Sequence, residues 1–207
     1  MNLLNNTKCY LVGPIELAND PVSWRSRVTN ELQEMGVKVY DPMMKPHWAP
    51  KAAAETNKNI ANKNIFLEVT NKIGAGEKLT ESDVENYKAM SWIRQIDLRF
   101  VHSSDFIVCY LPKLFSVGSC EELTIAINTG KPVLIYSKDI YIPSSWLATM
   151  MYDDPSDIGD SFFHSEEALV NYLKKVNNNE VPLDPMKWVF LSYFNEDLNI
   201  KGVKWQA

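Results

Sequence analysis

The chain has 207 residues, 45% of them apolar, and a formal net charge of −5. That length suffices for one domain with a sizeable core, and the acidic balance without any basic block argues against a nucleic-acid polymer as partner. No apolar run reaches membrane-spanning length and the N-terminus lacks a signal-peptide pattern, so the expectation is a soluble, cytoplasmic protein with no membrane partner.

Lys8–Val12 (KCYLV) reads as a first strand, ended by Gly13-Pro14, with a loop over 15–20. Pro21 stands where a helix would begin. Trp24, Val28, Leu32 and Met35 follow at helical spacing, and Gly36 closes the helix. Trp24 and Arg25 are expected to serve helix packing and surface charge respectively. Val37–Tyr40 is a second strand, and Asp41-Pro42 turns the chain at its carboxyl end. The stretch 43–80 has many Asn and Lys and a weak apolar pattern. It is taken either as a lid over the site or as a solvated excursion. Thr80 with Asp83 predicts a helix cap. Val84, Tyr87, Ser91, Trp92, Ile96 and Phe100 predict one long helix to about His102, with Trp92 in the core and Asp97 in its last turns.

The stretch 105–136 organises the rest. Phe106–Leu111 and Pro132–Tyr136 are apolar runs rich in Val and Ile, as buried parallel strands are. Between them Gly118-Ser119-Cys120-Glu121-Glu122-Leu123, Ala126 and Ile127 predict a helix, and Gly130 its stop. Asp105 reads as a strand-start residue. Farther on, 140–151 is amphipathic and aromatic. Ser165 with Glu166 and Glu167 starts another helix that ends at Asn177-Asn178-Asn179, and the tail holds Trp188, Phe190, Tyr193, Phe194 and Trp205. The alternation predicts an α/β fold, a doubly wound, mostly parallel sheet with helices on both faces. The domain spans 1–180, with the excursion at 43–80. An aromatic tail over 181–207 must pack on its own subunit or on a partner.

Cys9 and Cys109 fall in predicted strands as small hydrophobes, Cys120 reads as structural, and His47, His102 and His164 are scattered. The pattern predicts no metal site and no cofactor.

The predicted topology puts Gly13, residues 116–122 and Ser137 on one rim, at the carboxyl ends of strands where open α/β sheets bind ligands. Gly118 and Ser119 open a helix and suit a sugar or a phosphate. Glu122, expected in the first helical turn, is a carboxylate that can attack an anomeric carbon or stabilise an oxocarbenium ion; a Glu there also simply favours the helix dipole. Asp97 is a second carboxyl that can protonate a leaving group. Asp41 can meet the ligand or merely make its turn. Glu121 is expected to point away from Glu122, because adjacent helical residues diverge.

In combination, Tyr10-Leu11-Val12-Gly13-Pro14, Trp24-Arg25, Asp97-Leu98, Gly118-Ser119-x-x-Glu122-Leu123, Ala126 and Lys131-Pro132-Val133 resemble the nucleoside 2-deoxyribosyltransferase family, from about Lys8 to Tyr136. The resemblance implies a flavodoxin-like fold and cleavage of the N-glycosidic bond of a nucleoside or nucleotide. It matches Glu122 to the nucleophile, Asp97 to the acid at the leaving base, and Tyr10 to the tyrosine that steers nucleophile and sugar. Gly13 and Pro14 match the loop beside the ligand. It also implies a homodimer or larger homo-oligomer in which a neighbouring subunit completes the site, with 143–151 and the tail as candidates for that role. Ser116 stands six residues before Glu122. There the family's free-nucleoside transferases carry an aspartate for the sugar 5′-hydroxyl, and its 5′-monophosphate hydrolases a serine. An aspartate would repel a phosphate dianion, whereas a serine donates to it. Ser116, Gly118 and Ser119 thus suggest a phosphate cradle, and the expected activity is hydrolysis of a (deoxy)nucleoside 5′-monophosphate to base and sugar 5-phosphate. Deoxyribosyl transfer between bases, a nucleotide-binding module without turnover, and cleavage of another N-glycoside are the rivals.

Overall fold

A computed structural model of the chain describes residues 2–15, 20–49, 63–112, 116–138, 161–192, 195 and 197–201. The loop over 16–19, the middle of the 43–80 excursion, the 140–151 stretch, Tyr193, Phe194 and Trp205 lie outside the described residues. Five strands, β1 (Lys8–Val12), β2 (Lys38–Tyr40), β3 (Phe106–Tyr110), β4 (Val133–Tyr136) and β5 (Phe162–Phe163), form one sheet in the order β2-β1-β3-β4-β5. All four pairings are parallel, so the expected doubly wound α/β fold is present. Around the sheet lie the helices α1 (Ser23–Glu34), α2 (Lys63–Gly74), α3 (Glu81–Ser103), α4 (Val117–Asn128), α5 (Glu166–Asn177) and the short α6 (Val189–Ser192).

Strand side chains alternate between the two faces. Cys9, Leu11, Phe106, Val108, Leu134 and Tyr136 pack with Trp24, Val28 and Leu32 of α1 and Leu169 and Leu173 of α5. Tyr10, Val12, Ile107, Cys109, Val133 and Ile135 pack on the other face with Val101 of α3 and Leu123 and Ala126 of α4. Both faces are covered, which is why the strands read as continuous apolar runs. The tail joins the first cluster: Trp188, Leu191 and Leu198 are buried there.

Local signals account for most element ends. Thr80 and Asp83 make a full capping box at the start of α3. Ser165 accepts from the Ala168 amide at the start of α5. Gly36 and Gly130 take φ of 79° and 70° just past α1 and α4. Asp105 accepts from the Lys8 amide at 2.7 Å and so fastens the start of β3 to that of β1. α1 begins at Ser23, two residues beyond the proline, because Asp20 accepts from the amides of Val22 and Ser23 and takes over the first turn.

Two packing expectations are corrected. Trp92 is 45% exposed. It does not share the side of α3 that carries the buried Ala89, Ile96, Asp97 and Val101. Cys120 is exposed rather than structural, because it stands on the outer side of the first turn of α4 while Ser119 and Leu123 turn inward.

Gly36→Ala should lower stability by about 1–3 kcal/mol, the cost of forcing a side chain into the left-handed region; the added Cβ would also crowd Asn5. Urea unfolding at an unchanged m-value is the measurement.

Candidate functional site

The parallel sheet brings all strand carboxyl ends to one rim. Gly13 follows β1, Asp41 follows β2, α4 starts shortly after β3, and Ser137 follows β4. Strand order reverses between β1 and β3, and the crevice at such a reversal is where doubly wound sheets take ligands.

Tyr10, Asp97 and Glu122 come together on the α3–α4 face of that crevice. The fully buried Tyr10 phenol donates to Glu122 Oε1 at 2.6 Å. Phe100 of α3 packs against the Tyr10 ring and stacks on Tyr40, with centroids 6.1 and 4.9 Å away, so an aromatic wall holds the phenol in place. Glu122 stands in the second turn of α4, not the first, because the helix begins at Val117. Its placement is therefore not explained by the helix dipole, which acts on the first turn. Glu121 diverges as expected and pairs with Arg94, whose Nε donates at 2.9 Å.

Asp97 is buried and contacts the Lys45 ammonium. Lys45 is itself almost wholly buried, with 1% of its side chain exposed. Nothing in the sequence reading singled it out. It lies in a stretch without apolar periodicity, and a lysine beside Trp48 and Pro46 there reads as solvated surface.

Arg25 is the second surprise. Expected as a surface charge, it is fully buried. Its Nη2 donates to the Gly13 carbonyl at 2.7 Å and its Nη1 to the Pro21 carbonyl at 2.5 Å. The guanidinium also lies 4.5 Å from the centroid of the Trp24 ring. Asp41 sits 3.7 Å from its Nε, while also accepting from the Met43 amide in its turn at 2.8 Å. One sequence signal existed: position 25 is three before Val28 and seven before Leu32, on the buried stripe of α1. Gly13 has a packing reason to be glycine, since a Cβ there would lie 2.8 Å from Trp24 Cζ2. Gly13 and Pro14 are both buried at the end of β1.

Ser116 is the N-cap of α4. Its Oγ accepts from the Ser119 amide at 3.2 Å and shares a 2.9 Å contact with the buried Ser119 hydroxyl. Among the described residues, a Cβ on Gly118 would meet nothing within 4 Å. The first turn of α4 carries no acidic residue.

Burial pushes the Glu122 carboxyl up to about 8; the Tyr10 hydrogen bond opposes the shift and the Asp97 charge adds to it. Burial likewise raises Asp97, to about 6, against the pull of Lys45. Burial, with the Glu122 charge adding to it, holds the Tyr10 phenol well above its ordinary value, so it stays a donor. Burial lowers Lys45, with Asp97 opposing, and lowers Arg25, with Asp41 opposing. The rim thus gathers two carboxyls raised by burial and two buried cations.

No family model matches the chain, and no curated relative matches it. Among solved structures, the chain is similar to a 2-deoxyribosyltransferase from the psychrotolerant bacterium Bacillus psychrosaccharolyticus, at 16% identity and a TM-score of 0.47, over 80% of this chain and 92% of that one. No helix among the described residues is long and apolar enough to cross a membrane.

The Glu122 shift carries a stability consequence. The folded chain keeps a proton to about pH 8 that the unfolded chain gives up near 4.5. Folding stability therefore falls as pH rises across that window. Glu122→Gln removes the loss: the variant should exceed wild type by on the order of 5 kcal/mol at pH 9, with the gap closing below pH 4. Unfolding midpoints across the pH range measure it.

Proposed function

We infer that the chain cleaves the N-glycosidic bond of a (deoxy)nucleoside 5′-monophosphate, with Glu122 as nucleophile and water as final acceptor. The observation that carries this reading is the Tyr10–Glu122 hydrogen bond in the crevice between β1 and β3, with the Asp97 carboxyl close enough to influence both groups. A phenol that donates to one carboxylate oxygen favours the ionised form and fixes its other oxygen for attack. Glu122 then bonds to C1′ as the C1′–N bond breaks, and the electron pair passes to the base. Asp97 lies on the leaving-base side of this arrangement, as the resemblance implies. Water next attacks C1′, releasing the sugar 5-phosphate and freeing Glu122.

The phosphate end of the substrate is assigned to the start of α4. Ser116 and Ser119 supply hydroxyls, the helix N-terminus supplies amides and a positive dipole end, and no carboxylate in the first turn opposes a dianion. Gly13, Pro14 and Asp41 border the sugar and base from the ends of β1 and β2. No cofactor is required by this chemistry.

The test is base release from nucleosides and their 5′-monophosphates, with and without a second free base. Wild type should release base from the monophosphates. Glu122→Ala should lose about a thousandfold or more while still binding ligand. Base exchange with free nucleosides would instead make the protein a transferase, and binding without any release a nucleotide-binding module. The acid limb of kcat/KM should fall near pH 8, where Glu122 ionises in the free protein. Ser116→Asp should shift preference from monophosphates toward free nucleosides by tenfold or more, about 1.4 kcal/mol; an unchanged ratio would refute the phosphate assignment.

A further inference from the structure

The contact between Lys45 and Asp97 changes which group can serve the leaving base. In a lysine–carboxylate pair at neutral pH the transferable proton lies on nitrogen. A carboxylate held against an ammonium has no proton of its own to give. The pair is also buried on both sides, with 1% of the Lys45 side chain and 11% of the Asp97 side chain exposed. The protein therefore keeps a buried cation beside its second carboxyl, at a cost in desolvation that a surface lysine avoids.

We propose that Lys45, not Asp97, is the general acid toward the leaving nucleobase, and that Asp97 is the residue that positions the Lys45 ammonium. This rests on the N-glycosidase reading above and deepens it. When the C1′–N bond breaks, its electron pair goes to the base nitrogen. A proton moves from Lys45 Nζ to the base, so the base leaves neutral and Lys45 becomes an amine. In the second half, water attacks C1′ and displaces the Glu122 carboxylate. The water's proton returns to the Lys45 amine, which restores the ammonium. Charge and protons balance over the cycle with no added reactant.

The surroundings of Lys45 fit this duty. Asp97 from α3 touches it, Glu122 from α4 and Asp41 from the end of β2 lie within electrostatic reach, and Arg25 from α1 and the neutral Tyr10 from β1 act on those carboxyls. Desolvation makes the ammonium a readier donor than an exposed lysine, while the carboxylates keep it charged in the resting protein. Lys45 follows β2, which flanks β1 on the side away from β3, whereas α4 and the proposed phosphate cradle follow β3.

The experiment compares two leaving groups in the full chain. Ordinary purine 5′-monophosphates need a proton to leave. 7-Methyl(deoxy)guanosine 5′-monophosphate carries a positive base, which leaves neutral without one. Lys45→Met should cut kcat on the ordinary substrate at least a hundredfold and change kcat on the methylated one less than about threefold. Lys45→Arg keeps the ion pair with Asp97 but holds its proton too tightly to donate, so it should show the same split while retaining the thermal midpoint of wild type. The alkaline limb of the wild-type pH–rate profile should disappear in both variants. Equal loss on both substrates, or full activity of Lys45→Arg on the ordinary one, would overturn the role of Lys45 while leaving the N-glycosidase reading intact. A wild type that releases base from none of the nucleoside 5′-monophosphates, purine or pyrimidine, would overturn both.

Discussion

β1 makes backbone pairings on both edges, to β2 and to β3, and this central position is the constraint on which the candidate site depends. In a parallel sheet every strand leaves at the same rim, so the residues that follow three neighbouring strands must converge. The pleat then decides which side chains face which helices. Tyr10 shares its face with Val12, Ile107 and Cys109, toward α3 and α4. A register slip by one residue would turn the phenol to the α1 face, away from Glu122. Asp105 guards that register by receiving the Lys8 amide where β1 and β3 begin.

Buried charge is the other organising cost. Removing an ion from water is worth several kcal/mol against folding. Asp41 at 3.7 Å from Arg25 returns about 4 kcal/mol at an effective dielectric near 20. That does not suffice alone, and the guanidinium is also bound by the Gly13 and Pro21 carbonyls and by the face of Trp24. Lys45 and Asp97 offset each other in the same way across the crevice. A crevice so arranged holds its charges in fixed pairs without any ligand.

Much of this was legible in the sequence. A short apolar run located β1, runs rich in Val and Ile located β3 and β4, and Thr80 with Asp83 located the start of α3, because such signals act within a few residues. The meeting of Tyr10, Asp97 and Glu122 followed from strand order together with family resemblance. What escaped depends on contacts remote in sequence. Lys45 is buried because Asp97, 52 residues on, receives it; no local pattern encodes that. Arg25 looked like surface because charge outweighed its place on the Val28–Leu32 stripe. Trp92 has interior spacing but stays 45% exposed, while Ala89 and Ile96 on the same helix are buried.

The wedge of Trp24 under Gly13 has an evolutionary consequence. The indole packs against Tyr110 and Tyr136, with centroids 5.6 and 5.9 Å away, so it has little room to retreat from position 13. Any side chain at 13 would also press toward the carbonyl of Tyr110 and the guanidinium of Arg25. A descendant that replaces the glycine must therefore accept a smaller residue than tryptophan at 24. That change also strips the aromatic cover from Arg25. The two positions are bound to drift together or not at all, and the buried arginine is the third member of the inherited set.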